Sequence, residues 1–95
     1  MDIPQKDKII AVISIFCPNA KIYLFGSYVR GDVRRSSDID IAIDNQEKLS
    51  FLEINQIRHM IDVLNIIPSV DVVDFNRVPI AMQENIIKDG IVWKK

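Results

Sequence analysis

The sequence predicts a small mixed α/β domain in which helices pack on a few-stranded mixed sheet. Three observations lead to this prediction. Segments whose apolar residues follow helical spacing alternate along the chain with short β-branched segments, and turn-forming residues separate them. The chain has 95 residues, which fits one compact domain, and we therefore expect residues 1–95 to form a single unit. Its hydrophobic fraction of 48% is high enough for a true core.

Local signals define the individual elements. Isoleucines alternate with Asp38, Asp40 and Ala42, which predicts a half-buried strand. Ser50 is followed three residues later by Glu53, which predicts a capping box at the start of a helix. In chain order, the predicted elements are first a helix after Pro4 that ends before Pro18, a strand over residues 21–25, a loop over 26–37 with one helical turn after Ser27, and a strand over 38–43. They continue with a helix that begins at Ser50 and has an apolar stripe through Leu64, a strand over 70–75, a helix from Pro79 to about Lys88, and a short strand or tail over 91–93.

Composition restricts the class of function. The formal net charge is -1 with 26% charged residues, whereas a general nucleic-acid binder normally has a basic excess, so we expect no direct nucleic-acid binding. Cys17 is the only cysteine, which excludes an internal disulfide and favours the reducing cytoplasm. The polar residues 1–8 are unlike a signal peptide, and no apolar run approaches the roughly 20 residues of a membrane span.

Paired aspartates are the first candidate site. Asp38 and Asp40 are two residues apart on a predicted strand, so both carboxylates leave the same face, while Ile39 and Ile41 point into the core. Two adjacent carboxylates repel each other unless a positive charge offsets them, and hard cations such as Mg²⁺ prefer oxygen ligands. Asp71, on the next predicted strand, supplies a third carboxylate if the two strands are neighbours.

The choice of a third carboxylate has an alternative. Asp74 lies on the face opposite Asp71 if the strand is regular, and it is our second choice. Three carboxylates can hold two metal ions, one activating the attacking hydroxyl and the other binding a triphosphate and stabilising the leaving oxygen.

A glycine–serine pair precedes the paired aspartates. Gly26 permits a sharp turn after the first strand, and Ser27 then offers a hydroxyl and a backbone N–H to phosphate oxygens. Taken alone, this pair is more often an ordinary strand-ending turn. The combination is more specific, because ten residues separate this pair from an Asp-x-Asp pattern on the next strand. Arg30, Arg34 and Arg35 in the loop are candidate contacts to a triphosphate or an acceptor; the competing interpretation is a solvated loop.

Residues 24–44, with these motifs, resemble the nucleotidyltransferase superfamily that includes DNA polymerase beta. The resemblance is to its short form, the minimal nucleotidyltransferase (MNT) family, and extends more loosely over the whole chain. It implies Mg²⁺-dependent transfer of a nucleoside monophosphate from a triphosphate such as ATP. Carried over residue by residue, it assigns nucleotide or metal binding to Gly26, Ser27, Asp38, Asp40 and Asp71.

The resemblance also implies a partner. Stand-alone MNT proteins are similar to one half of a two-component pair whose other half is a helical HEPN-class protein, commonly an RNase toxin. In such pairs the MNT member is the antitoxin and transfers AMP from ATP to a tyrosine hydroxyl of the toxin. Two alternatives remain open. The chain could neutralise its partner by contact alone, or it could modify a small molecule, which its length disfavours because no segment remains to form an acceptor pocket.

Overall fold

The computed structural model describes residues 3–31 and 38–95, and these residues have the predicted mixed α/β architecture. The helices and strands are, in chain order, α1 (Lys6–Phe16), β1 (Lys21–Phe25), α2 (Ser27–Arg30), β2 (Ile39–Asp44), α3 (Phe51–Val63), β3 (Val70–Asp74), α4 (Ile80–Asp89) and β4 (Ile91–Lys94). No helix in the described ranges is long and apolar enough to cross a membrane.

The strands form one mixed sheet in the order β3-β2-β1-β4. β1 pairs antiparallel with both β2 and β4, whereas β2 and β3 are parallel. A parallel pair needs a crossover connection, and α3 supplies it between β2 and β3. This arrangement makes β2 and β1 the central strands.

The two faces of the sheet are covered by different helices. The larger core contains residues of α1 and α3 and the odd-numbered positions of β2, with Ile39, Ile41 and Ile43 at most 1% exposed. A smaller apolar cluster lies on the other face, formed by Tyr23, Ala42, Phe75 and Ile86 of α4. The sheet therefore has α1 and α3 on one face and α4 on the other.

The capping box at α3 is present as predicted. The Ser50 hydroxyl accepts a hydrogen bond from the Glu53 N–H at 3.1 Å, and the Glu53 carboxylate accepts one from the Ser50 N–H at 3.3 Å. α3 ends at Val63 and Leu64 is its C-cap, because the chain turns at Asn65, which has a left-handed φ of 56°.

Cys17, Trp93 and His59 are side chains that often take part in chemistry, but in this structure they lie in the core or on the surface. Cys17 is 1% exposed, and burial raises the pKa of its thiol, which makes the thiol unreactive. Trp93 of β4 packs in the larger core, with the Lys6 ammonium 5.8 Å from its ring centroid. His59 is exposed on α3.

Candidate functional site

Asp40 and Asp71 are direct neighbours across two strands. They are register partners in the parallel β2–β3 pair, so their side chains leave the same face of the sheet. Neighbouring strands lie about 4.8 Å apart, which brings the two carboxylates side by side. Asp40 is half-buried and Asp71 is exposed. The face they share is the one that α4 covers in part.

Asp38 lies immediately before β2 and is exposed. It is close enough to act on Asp40. The pKa of the Asp40 carboxyl is raised above its usual value of 3.8, first by burial and then by the negative charges of Asp71 and Asp38. Arg30 opposes this rise. The carboxylate form of Asp40 is therefore held at an electrostatic cost that a nearby cation would relieve.

Both the backbone angles and the surroundings of position 26 favour glycine. Its φ of 79° and ψ of -148° fall in a region that side chains rarely adopt. A Cβ at this position would overlap Oδ2 of Asp40 and lie 3.0 Å from its Cγ. The sequence interpretation gave a sharp turn after the first strand as the reason for a glycine. The structure adds a second reason, the Asp40 carboxylate, whose residue lies opposite Phe25 in the β1–β2 register.

The predicted single helical turn after Ser27 is α2. The N–H groups of Val29 and Arg30 both donate to the Gly26 carbonyl, at 3.0 and 3.1 Å. The N–H groups of Ser27 and Tyr28 stand at the first positions of this turn, where no carbonyl within the turn can accept from them. These two N–H groups and the half-buried Ser27 hydroxyl are the donors that the turn can offer to a ligand.

These groups border one cleft of about 520 Å³ between the sheet and α4. That volume is within the range of small-molecule sites. The cleft is lined by Phe25, Gly26, Ser27, Val29, Arg30, Asp40, Asp71, Val73, Met82, Asn85, Ile86, Asp89 and Gly90. Its charged lining consists of three carboxylates and one guanidinium. A polyphosphate entering this cleft would need accompanying cations.

The donor set fits Mg²⁺ by its chemistry. Among residues 3–31 and 38–95, no three His, Cys, Asp or Glu side chains converge closely enough to form a ready-made metal cage. Mg²⁺ rarely uses such a cage; it usually binds through one or two carboxylates together with water and substrate phosphates. The adjacent Asp40 and Asp71, with Asp38 beside them, match that mode of binding.

Asp74, the alternative third carboxylate, lies elsewhere. It is 4% exposed and faces away from Asp71. Its side chain accepts hydrogen bonds from the N–H groups of Leu49, at 2.8 Å, and Asn76, at 3.0 Å. The Arg77 Nε lies 3.5 Å from Oδ2 of Asp74, the oxygen that accepts from Leu49. The structure thus brings Asp71, and not Asp74, next to Asp40.

Sequence reasoning missed the wall that α4 contributes. Met82, Asn85 and Asp89 line the cleft, yet the sequence interpretation gave this helix no part in the site. A signal was available, since these residues recur at helical spacing around the buried Ile86. Arg34 and Arg35, named above as candidate contacts, lie outside the described residues.

Comparison with known proteins identifies the family. A family model described as polymerase beta, nucleotidyltransferase, matches residues 7–94. The chain belongs to this nucleotidyltransferase family. The predicted resemblance is thereby confirmed, and the chain is a nucleotidyltransferase enzyme.

Two relatives are protein adenylyltransferases by name. This nucleotidyltransferase is 32% identical over 73 residues to a candidate protein adenylyltransferase of Methanocaldococcus jannaschii, covering 76% of this chain and 72% of that protein. It is 39% identical over 44 residues to the protein adenylyltransferase MntA of Thermococcus cleftensis, covering 46% of this chain and 44% of that one.

Solved structures share the fold of this nucleotidyltransferase. A chain of a toxin–antitoxin crystal structure with AMP-PNP has a TM-score of 0.75 and 29% identity, covering 93% of this chain and 71% of that chain. A complex of a tri-AMPylated Shewanella oneidensis HEPN toxin with its MNT antitoxin gives a TM-score of 0.70 at 25% identity, covering 94% of this chain and 68% of that chain. These likenesses confirm the predicted MNT-type fold.

Proposed function

We propose that this nucleotidyltransferase transfers AMP from ATP to a hydroxyl, that of a tyrosine, on a helical HEPN-type partner, and that it thereby acts as an antitoxin in the cytoplasm. The observation that carries the proposal is the juxtaposition of Asp40 and Asp71 in one cleft with Gly26 and Ser27. In that arrangement, carboxylate oxygens suited to a metal ion lie in the same cleft as N–H and hydroxyl groups suited to phosphate, and nucleotidyl transfer requires both.

Asp38, Asp40 and Asp71 are the residues that would hold Mg²⁺. When bound, the metal would lower the pKa of the acceptor hydroxyl and stabilise the leaving pyrophosphate. The electrostatic cost of the ionised Asp40 supports this assignment, because a dication offsets the repulsion from both neighbouring carboxylates. Asp40 is half-buried on a central strand and Asp71 is its register partner, so their relative position is fixed before substrate arrives.

Gly26, Ser27 and Arg30 would hold the triphosphate. The N–H groups of Ser27 and Tyr28, with the Ser27 hydroxyl, can donate to β- and γ-phosphate oxygens at the end of β1. Arg30 lines the same cleft and contributes its positive charge. Phosphoryl-type transfer depends mainly on positioning and charge stabilisation, so these donors account for much of what the protein must supply.

The protein acceptor is supported by the named relatives. A relative carries the name protein adenylyltransferase, and a structural neighbour is an antitoxin in complex with a HEPN toxin that bears AMP groups. In such a pair, the partner presents the acceptor hydroxyl to a triphosphate that this chain positions. Transfer between two bound groups gains much of its rate from proximity, so transfer should be slow without the partner.

The test uses ATP labelled at either the α- or the γ-phosphate. The purified chain is incubated with Mg²⁺ and a HEPN-type protein as candidate acceptor, and label on that protein is measured. The proposal predicts label from α-labelled ATP, none from γ-labelled ATP, and loss of transfer when EDTA removes the metal. Label from the γ-phosphate alone would mean phosphorylation and would overturn the proposal.

A second experiment separates catalysis from neutralisation by contact. The partner is co-expressed in cells with the wild type or with Asp38→Asn/Asp40→Asn. Relief of toxicity by the wild type alone supports modification as the mechanism. Equal relief by the double variant would show that contact suffices.

A further inference from the structure

The C-terminal end of α4 lies beside the turn that follows β1. Leu24 of β1 is opposite Ile91 of β4 in their antiparallel pairing, and α4 ends at Asp89, two residues before β4 begins. Gly90, between them, approaches β1 so closely that a Cβ there would lie 3.2 Å from the Leu24 carbonyl oxygen. Because the two strands run in opposite directions, this register places Asp89 next to Gly26, the residue that directly follows β1.

Asp89 brings a negative charge to the part of the cleft proposed to hold phosphates. It is exposed and lines the cleft together with Gly26, Ser27 and Arg30, the residues that would hold the triphosphate. A triphosphate without a bound metal carries several negative charges of its own. The Asp89 carboxylate therefore repels the ligand that the neighbouring donors attract.

The stability of α4 does not account for this carboxylate. Asp89 is the last residue of the helix, where the helix dipole favours a cation and disfavours an anion. Among residues 3–31 and 38–95, no hydrogen bond or ion pair to the Asp89 side chain offsets that cost. A neutral side chain at this position would suit the helix better.

We propose that Asp89 is a specificity-determining residue, which repels a metal-free triphosphate and thereby selects the triphosphate as its Mg²⁺ complex. The inference rests on the proposed function in one respect, that a triphosphate binds at the Gly26–Ser27 turn. Mg²⁺ bound to the phosphates offsets part of their charge before they approach Asp89. Since transfer requires the metal, the carboxylate keeps the site free of a ligand that cannot react.

Binding of inorganic tripolyphosphate with and without Mg²⁺ tests this role. The probe has no nucleoside, so only contacts to phosphate enter the comparison. In EDTA at low ionic strength, Asp89→Asn should tighten binding about three- to tenfold, because it removes the repulsion from one exposed carboxylate. In excess Mg²⁺ the gain should be about twofold or less. Calorimetry measures both dissociation constants, and their ratio gives the selectivity for the metal complex.

Two variants control for other effects of the substitution. Glu84→Gln removes the same charge from the same helix, but Glu84 is exposed outside the cleft, so this variant should bind as the wild type does. Asp89→Glu keeps the charge and should restore the wild-type selectivity. Thermal unfolding should show Asp89→Asn to be at least as stable as the wild type, because an anion has been removed from the C-terminal end of a helix.

The outcomes separate this inference from the proposed function. Tighter metal-free binding in Asp89→Asn alone supports the inference, even if the wild type transfers no AMP and the transferase proposal falls. Unchanged metal-free binding in Asp89→Asn, or an equal gain in Glu84→Gln, overturns it while leaving AMP transfer intact. Weaker binding of Asp89→Asn in Mg²⁺ would also overturn it, because Asp89 would then help to hold the metal complex.

Discussion

The carboxylate of Asp40 lies against the Cα of Gly26, in the space that a side chain at position 26 would occupy. Gly26 directly follows β1 and Asp40 lies on the adjacent β2, so the contact joins the proposed phosphate-binding turn to the proposed metal ligand. A change at either residue therefore affects both halves of the site.

Replacement of Gly26 should destabilise the fold through Asp40. We predict that Gly26→Ala lowers the free energy of unfolding by about 2 kcal/mol or more, from overlap with the carboxylate and an unfavourable backbone angle. Gly31→Ala is the control, because Gly31 also has a positive φ, of 81°, but a Cβ there meets no atom within 4 Å. In an Asp40→Ala background the cost of Gly26→Ala should shrink, as urea denaturation would show. An equal cost in both backgrounds would mean that the contact is unimportant.

The same glycine should matter for the nucleotide. Gly26→Val should raise the dissociation constant for ATP with Mg²⁺ much more than Ser27→Ala, because valine both displaces Asp40 and distorts the turn that presents the N–H donors. Ser27→Ala removes one hydroxyl and leaves the backbone donors in place, so its effect should be about tenfold or less. Calorimetry on folded variants measures both constants. An unchanged constant for Gly26→Val would rule out a phosphate site at this turn.

Neutralising Asp40 should stabilise the metal-free protein. The pKa of Asp40 is raised in the folded state, so ionisation costs more in the folded than in the unfolded chain. The wild type should therefore lose stability relative to Asp40→Asn as pH rises above 3.8, and the difference should vanish below that pH. Because Asp40 is only half-buried, solvent screening should keep the gain to about 1 kcal/mol or less. Thermal unfolding in EDTA across this pH range checks the sign; a less stable Asp40→Asn at neutral pH would contradict it.

Replacement by alanine should reduce stability at Asp74 and AMP transfer at Asp71. Asp74→Ala removes the acceptor for the Leu49 N–H and should cost about 1–3 kcal/mol of stability, seen in urea denaturation. Asp71→Ala removes an exposed carboxylate from a repulsive pair, so stability should hold while AMP transfer falls. Full transfer by Asp71→Ala would assign the third carboxylate elsewhere.

Local features of the site could be predicted from the sequence because they depend on spacing along one segment. The period of two in β2 places the side chain of Asp40 on one face of the sheet and those of Ile39 and Ile41 on the other, and the structure agrees. The alternation of side chains along β3 likewise puts Asp71 and Asp74 on opposite faces of the sheet. The register that pairs Asp40 with Asp71 joins strands that are distant in sequence. From the sequence, this pairing could be predicted only on the condition that the two strands are neighbours.

Other features depend on tertiary packing. The helical spacing of Met82, Asn85 and Asp89 was visible in the sequence, but that spacing does not say which face of the sheet α4 covers. Nothing along the chain states that α4 covers the face of the sheet opposite α1 and α3, so its cleft-lining residues were missed. The contact between Gly26 and Asp40 arises from the antiparallel register of β1 and β2.

The proposed function requires that AMP passes from ATP to a hydroxyl of the partner protein and that this transfer depends on the carboxylates of Asp38 and Asp40. The most direct measurement is the intact mass of the HEPN-type partner after incubation with ATP, Mg²⁺ and either the wild type or Asp38→Asn/Asp40→Asn. We predict that the wild type adds one or more AMP units, located on tyrosine by fragmentation, and that the double variant binds the partner but leaves its mass unchanged. An unmodified partner in the presence of the wild type, or equal modification by the double variant, would contradict the claim.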